Sequence, residues 1–130
     1  MTKKQAANAA LLYVEDDDLT RELVELALQE AGFEVVIAEN GPMALALLET
    51  ATAAFKGLIT DVNLGVGPDG WGVARRAREL FDGLAVVYVS GASNHDWSSS
   101  GVPHSVMITK PFAPAQVVVA VSSLLMKTDT

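Results

Sequence analysis

Short apolar runs alternate with longer amphipathic stretches along most of the chain. The runs are rich in Val, Ile and Leu and lack alternating polar positions, which is typical of strands covered on both faces of a sheet. We predict strands near residues 10–14, 34–38, 57–60, 85–89 and 105–108. The run 34–38 (Glu-Val-Val-Ile-Ala) looks most like an edge strand.

The stretches between these runs carry apolar residues at helical spacing. We predict helices over residues 19–31, 42–51, 71–81 and 113–126. In the first helix Asp18 is the predicted N-cap, and Gly32 occupies the position of a C′ glycine. One stripe, expected to form the apolar face of this helix, consists of Leu19, Leu23, Leu26 and Ala27.

The stretch 91–104 departs from this alternation, because it is rich in Ser and Asn and has little helical periodicity. The repeated pattern requires a helix between the fourth and fifth strands. We therefore predict a short or degenerate helix there, a single turn around residues 94–99.

Repeated strand–helix units predict an α/β fold with a doubly wound parallel sheet and helices on both faces. In such a sheet, ligands bind outside the carboxyl ends of the strands, where the strand order reverses. Polar residues follow four of the predicted strands at this edge: Glu15, Asp16, Asp61, Ser90 and Lys110. Carboxylates, a hydroxyl and an ammonium in one pocket suit a divalent metal and a phosphoryl group.

Composition narrows the class of protein. The 130 residues suit one domain, which we place at 9–126 between disordered tails at 1–8 and 127–130. No apolar run reaches the roughly 18 residues that a membrane span requires, and the amino terminus lacks a secretory signal pattern. The net charge of −7 argues against nucleic-acid binding, and the absence of cysteine fits a cytoplasmic protein.

The acidic residues point to a metal site. Glu15, Asp16 and Asp61 offer the hard oxygen ligands that Mg²⁺ prefers. Asp17 and Asp18 are better explained as capping groups of the following helix. Asp61 has no adjacent helix to cap, since a glycine-rich loop follows it.

Lys110 and Ser90 add a phosphoryl-binding part to the same edge. A lysine beside three carboxylates forms an ion pair and binds phosphate as a point charge, and the Ser90 hydroxyl can donate to a phosphoryl oxygen. A solvated lysine and a plain turn serine are the ordinary alternatives when each residue is taken alone. Pro111 follows the lysine and is a candidate for a cis peptide bond.

Four segments in this order resemble the motifs of the receiver domain of two-component response regulators. They are Leu-Tyr-Val-Glu15-Asp16-Asp17, Ile-Thr-Asp61-Val-Asn63-Leu, Val-Tyr-Val-Ser90-Gly-Ala and Ile-Thr-Lys110-Pro111-Phe112. The resemblance covers roughly residues 10–126. It implies a five-stranded, flavodoxin-like sheet with strand order 2-1-3-4-5.

The resemblance implies that Asp61 is the phosphoacceptor and that Mg²⁺ is the cofactor. Asp16 and Asp61 would bind the ion directly, and Glu15 would help through water. The backbone carbonyl of Asn63 would complete the protein ligands.

The resemblance also implies how the phosphoryl group is held and sensed. Lys110 would contact it, Ser90 would move to hydrogen-bond it, and Ala92 would tune the access of water. Two departures concern signalling, apart from the short fourth helix. Met107 stands where many receivers have an aromatic switch residue, and the loop 64–70 is longer and richer in glycine than usual.

The expected function is a phosphorylation-dependent switch in a phosphorelay, not an enzyme that turns over a substrate. Its expected partners are a histidine kinase or phosphotransfer protein and an unknown output protein, whereas nucleic acid and membrane are not expected. A homodimer is left open by the sequence. A small Mg²⁺-dependent phosphohydrolase is the alternative, because Asp16-Asp17-Asp18 contains an Asp-x-Asp after the first strand. A nucleotide or flavin binder is disfavoured, since acids replace the glycine-rich phosphate loop.

Overall fold

The computed structural model describes residues 10–52, 54–91 and 94–128, which form five strands and five helices. The strands are β1 (Ala10–Val14), β2 (Val35–Ala38), β3 (Phe55–Asp61), β4 (Ala85–Ser90) and β5 (Ser105–Thr109). The helices are α1 (Asp18–Glu30), α2 (Gly41–Glu49), α3 (Gly70–Leu80), α4 (Trp97–Ser100, after a 3₁₀ turn at Asn94–Asp96) and α5 (Pro114–Thr128).

The strands form one parallel sheet in the order β2-β1-β3-β4-β5, which confirms the predicted fold class. The order reverses between β1 and β3, so the switch point lies where these two strands end. The second strand lies at an edge, as its sequence indicated.

The core consists of two apolar clusters, one on each face of the sheet. Successive residues of a strand point to opposite faces, so β1 contributes Tyr13 to one cluster and Val14 to the other. The Tyr13 cluster includes residues of α1 and α5, and the Val14 cluster includes residues of α2 and α3. The central strands are therefore covered on both sides, which explains their uninterrupted apolar sequences.

The predicted apolar face of α1 was wrong. The helix buries Val24 and Leu28, whereas Leu19, Leu23 and Leu26 are 66%, 50% and 53% exposed. Both sets have helical spacing. Val24 and Leu28 are the pair that enters the core, because they are on the side of the helix that contacts β2 and α5. A row of leucines is left on the surface.

The ends of α1 are fixed by local hydrogen bonds. Asp17, not Asp18, is the N-cap, and its carboxylate accepts from the Thr20 N–H at 2.9 Å. Asp18 is instead the first helical residue. Gly32 has φ +96°, and the N–H of Phe33 donates to the carbonyl of Leu28, so the predicted C′ glycine ends the helix in a Schellman motif.

The fourth helix is short, as predicted, and the chain that follows it is held by side chains of the main domain. The N–H of Val102 donates to the buried hydroxyl of Tyr88 at 3.0 Å. The guanidinium of Arg78 donates to the carbonyls of Pro103 and His104 at 2.7 and 3.0 Å. Strand β4 and helix α3 therefore position the connection that leads into β5.

Two findings bear on the ends of the domain. Helix α5 continues through Thr128, two residues into the segment predicted to be a tail. The predicted tail at 1–8 and the last two residues lie outside the described part of the chain. Among the helices that are described, none combines the length and apolar character needed to cross a bilayer.

We predict that Gly70→Ala destabilises the fold. A Cβ atom at Gly70 would meet the carbonyl oxygen of Asp61 and, at 2.8 Å, the Cα of Val62. Because these neighbours are backbone atoms, the chain must shift, and we expect a loss of about 1–3 kcal/mol in the free energy of unfolding.

Gly72→Ala is the matched control, since its added methyl group would have no neighbour closer than 3.6 Å. Alanine favours a helix over glycine by up to about 1 kcal/mol, so this variant should unfold at the same or higher denaturant concentration. Equal destabilisation of the two variants would contradict the close approach at Gly70.

Candidate functional site

The parallel register brings the predicted site residues to one edge of the sheet. Asp61 ends β3 opposite Val89, and Ser90 ends β4 opposite Thr109. Glu15 and Lys110 directly follow β1 and β5. The structure therefore assembles the carboxylates, the hydroxyl and the ammonium at neighbouring strand ends, as the sequence predicted.

The carboxylate of Asp61 is almost fully buried and held at both oxygens. Its Oδ2 accepts a hydrogen bond from the Nζ of Lys110 at 2.9 Å. Its Oδ1 accepts a longer bond from the N–H of Asn63, at 3.3 Å. The ammonium partly compensates for removing the carboxylate from water, so Asp61 is held in an oriented, charge-paired position.

Lys110 contacts the acidic residues through Asp61, and its side chain is 37% exposed. Burial alone would lower the pKa of this lysine. The hydrogen bond with Asp61 and the charges of Asp61, Glu15 and Asp16 outweigh burial, so its pKa is raised. Lys110 is therefore a stable cation next to the candidate phosphoacceptor.

Glu15, Asp16 and Asp61 place one carboxylate oxygen each within 4.8 Å of one another. Glu15 and Asp61 are buried, whereas Asp16 is exposed. Such a set fits Mg²⁺, which binds one or two carboxylates and retains several waters. The residues present therefore match the donor chemistry of the metal that the sequence predicted.

Two further residues fix the loop that carries Glu15. The Nη1 of Arg21 donates to the backbone carbonyl of Glu15 at 3.0 Å, and its Nη2 bonds Asp18. The N–H of Asp17 donates to the Glu15 carboxylate at 3.2 Å. Sequence reasoning missed Arg21, although its spacing of three residues from Asp18 on a helix is typical of an ion pair.

The remaining predicted residues lie nearby. Ser90 is fully buried, and its carbonyl accepts from the N–H of Lys110 at 3.0 Å. The Lys110–Pro111 peptide bond is cis. Met107 is half-buried and packs against the Val14 cluster, on the face of the sheet covered by α2 and α3. Ala92 lies outside the described residues.

Glu15 has an unusual protonation equilibrium. Burial, and then the negative charge of Asp61, raise the pKa of Glu15 to about 7, against a partial opposing effect of the Asp17 N–H and Lys110. The protein therefore holds this carboxyl group in an environment that favours its protonated form unless positive charge is supplied.

We predict a characteristic pH dependence for the cation-free protein. Between the ordinary Glu pKa of 4.5 and about 7, Glu15 binds more protons in the folded chain than in the unfolded chain. Its contribution to stability is therefore lost as pH rises through this window. The free energy of unfolding of the wild type, minus that of Glu15→Gln, should decrease from about pH 4.5 to about pH 7 and then level off.

Urea unfolding in EDTA at a series of pH values measures this difference. Glu22→Gln, which removes an exposed carboxylate of α1, is the control for a change in surface charge. A flat or rising difference for Glu15→Gln would show that Glu15 is not the titrating group.

Known proteins resemble this chain in sequence. The family model of the response regulator receiver domain matches residues 11–122. The probable transcriptional regulatory protein SilR of Salmonella typhimurium is 33% identical over 124 residues, which cover 92% of this chain and 52% of SilR. The chain thus spans about half the length of that relative.

Solved structures share both the fold and part of the sequence. A response regulator receiver protein from Sinorhizobium medicae is 38% identical, with a TM-score of 0.88 and coverage of 92% of this chain and 96% of that one. The response regulator TrrA from Thermotoga maritima, solved in complex with Mg²⁺-BeF, is 26% identical, with a TM-score of 0.75 and coverage of 89% and 98%. This chain therefore belongs to the response regulator receiver domain family, the receiver module of two-component signalling.

Proposed function

We propose that the chain accepts a phosphoryl group on Asp61, from a histidine kinase or phosphotransfer protein, with Mg²⁺ as cofactor. The observation that carries this assignment is the buried Asp61 carboxylate, which lies between the ammonium of Lys110 and the carboxylates of Glu15 and Asp16. Asp16 and Asp61 are the proposed direct ligands of the ion. Glu15 is proposed to act through water, and the Asn63 carbonyl to complete the set.

In the proposed reaction a carboxylate oxygen of Asp61 attacks the phosphorus of a phosphohistidine in line. The new bond joins this oxygen to phosphorus, the N–P bond breaks, and its electron pair passes to the imidazole. Mg²⁺ held by Asp16 and Asp61 would neutralise charge on the phosphoryl oxygens. Lys110 adds a second positive charge on the same group, at a position already fixed by its bond to Asp61.

Ser90 is the proposed sensor of the phosphoryl group, and Ala92 the proposed control of water access. Ser90 ends β4 and belongs to the same face of the sheet as Tyr88. Met107 lies opposite Tyr88 in the β4–β5 register. A response of the side chain at 107 is therefore repacking of a flexible thioether and not rotation of an aromatic ring.

The phosphohydrolase alternative requires Asp16 to act as the nucleophile. Asp16 is exposed, and the lysine contact is made by Asp61. The environment that stabilises a transferring phosphoryl group thus surrounds Asp61. The chain is proposed to be a phosphoryl acceptor and not an enzyme that turns over a substrate.

We predict that Asp61→Asn abolishes phosphorylation. With Mg²⁺ and a small phosphodonor such as acetyl phosphate, the wild type should gain the mass of one phosphoryl group, because the carboxylate attacks phosphorus and an amide does not. Intact-mass spectrometry measures the adduct.

Asp69→Asn is the matched control, since Asp69 caps α3 and an amide side chain retains a capping oxygen. Its adduct should equal that of the wild type. If Asp61→Asn still gains the adduct and only Asp16→Asn loses it, the assignment is overturned and the phosphohydrolase is supported.

A cleft next to the site is the proposed docking surface of the phosphodonor. An open cleft of about 630 Å³ lies between α1 and the β5–α5 loop, and its lining includes Leu23, Lys110 and Phe112. The exposed leucines of α1 extend its apolar surface. A protein that covers this surface is brought beside Lys110, whose ammonium contacts Asp61. The phosphodonor is therefore the occupant that this position favours.

We predict that Leu23→Ser slows phosphotransfer from a donor protein by about tenfold or more, because half-exposed Leu23 would lose its apolar contact with the donor. Phosphorylation by acetyl phosphate should be unchanged. Val119→Ser removes an apolar group from α5 that is at least as exposed as Leu23 and lies outside this cleft, so it should leave both rates unchanged. An equal loss in both assays would instead show damage to the site itself.

We also propose that the receiver unit acts in the cytoplasm and extends from residue 9, past the expected end at 126, to Thr128, where α5 ends. Its state is proposed to be read by a protein partner, with a homodimer as one possible form. The net charge of −7 supports a role without direct nucleic-acid contact.

A further inference from the structure

The two tyrosines of the chain are both buried in the sheet, but their hydroxyl groups differ. Tyr88 is 0% exposed, and its hydroxyl accepts a hydrogen bond from the Val102 N–H. Tyr13 is 1% exposed, and its hydroxyl is a buried polar group without a hydrogen-bond partner among the described residues. Buried hydroxyls normally have partners, because leaving one unsatisfied is unfavourable.

Tyr13 lies close to the acidic site along the first strand. It lies in β1, two residues before Glu15, so both side chains belong to the same face of the sheet. The charged groups that act on its hydroxyl are Glu15, Asp61, Arg21 and Asp17, all at the carboxyl edge. After burial, which is the largest cause, the two carboxylates Glu15 and Asp61 raise the pKa of Tyr13 further. Tyr13 therefore shares a sheet face with Glu15, and both carboxylates are close enough to act on its hydroxyl.

The apolar surroundings of the ring give no reason for a hydroxyl group. Tyr13 packs in a cluster with Val24, Ile59 and Val117, where phenylalanine would fill the same volume without burying an unsatisfied polar atom. By itself, the unsatisfied hydroxyl is therefore unfavourable for the fold.

We propose that Tyr13 is a positioning residue of the cation site, with its hydroxyl hydrogen-bonded through water to the carboxylates that hold the ion. The proposal rests on the proposed Mg²⁺ site. Mg²⁺ retains several waters in protein sites, and hydrogen bonds from outside the ligand set orient the ligands. Tyr13 acts on the ion only through these waters and carboxylates, so its removal weakens binding without removing a ligand.

The test compares Tyr13→Phe with Tyr88→Phe, since each substitution removes one buried hydroxyl from the same sheet. Titration with MgCl₂, followed by amide NMR shifts, gives the affinity, and thermal unfolding in EDTA gives the stability. Tyr13→Phe should weaken Mg²⁺ binding by about tenfold with an unchanged or higher melting temperature. Tyr88→Phe should keep the wild-type Mg²⁺ affinity and melt at a lower temperature, because Val102 loses its partner.

A double variant separates positioning from general packing. If Tyr13 acts through Glu15, adding Tyr13→Phe to Glu15→Gln should weaken Mg²⁺ binding much less than it does in the wild type. Wild-type affinity in Tyr13→Phe, or full additivity with Glu15→Gln, would overturn the role of Tyr13 and leave the proposed function intact. A wild type that binds no Mg²⁺ would overturn both.

Discussion

Carboxylates from two strand ends meet at one edge of the sheet, and the attraction between Asp61 and Lys110 balances part of their repulsion. The remaining repulsion between Glu15 and Asp61, together with burial as the larger cause, raises the pKa of Glu15 to about 7. Other local features serve this arrangement. Arg21 holds the Glu15 carbonyl, and Gly70 lets α3 begin against the backbone of Asp61. Because the repulsion is between carboxylates, a divalent cation bound among them would relieve it most.

The alternation of side chains along the strands separates two tasks. Tyr13 and Glu15 share the face covered by α1 and α5, and this is the face beside which the docking cleft opens. Ser90 shares the opposite face with Tyr88, which packs on Trp71 with ring centroids 4.6 Å apart. In the proposed function, donor docking and the response to phosphorylation are therefore assigned to different layers of the domain, which meet at the strand ends.

Much of this arrangement could be predicted from sequence, because uninterrupted apolar runs followed by polar residues identify both parallel strands and their functional edge. The outward face of α1 could not be predicted, since the Leu19–Leu23–Leu26 stripe and the buried pair Val24 and Leu28 both have helical spacing. Packing of α1 against β2 and α5 determines which of the two sets is buried. Similarly, Tyr13 reads as one more residue of an apolar run, and only the absence of a partner for its hydroxyl among the described residues distinguishes it.

The short α4 leaves few contacts through which a displacement of β4 could reach the rest of the domain by way of this helix. A four-residue helix has little apolar surface of its own, so contacts from the main domain fix the chain that follows it. The Tyr88 hydroxyl bonds Val102, and Arg78 bonds the next two carbonyls. Tyr88 is two residues from Ser90 on the same strand face, so a displacement of β4 that carries Tyr88 with it would also move Val102, the hydrogen-bond partner of its hydroxyl. After the short α4, it is therefore the connection into β5, and not a long helix surface, that is tied to β4 and α3.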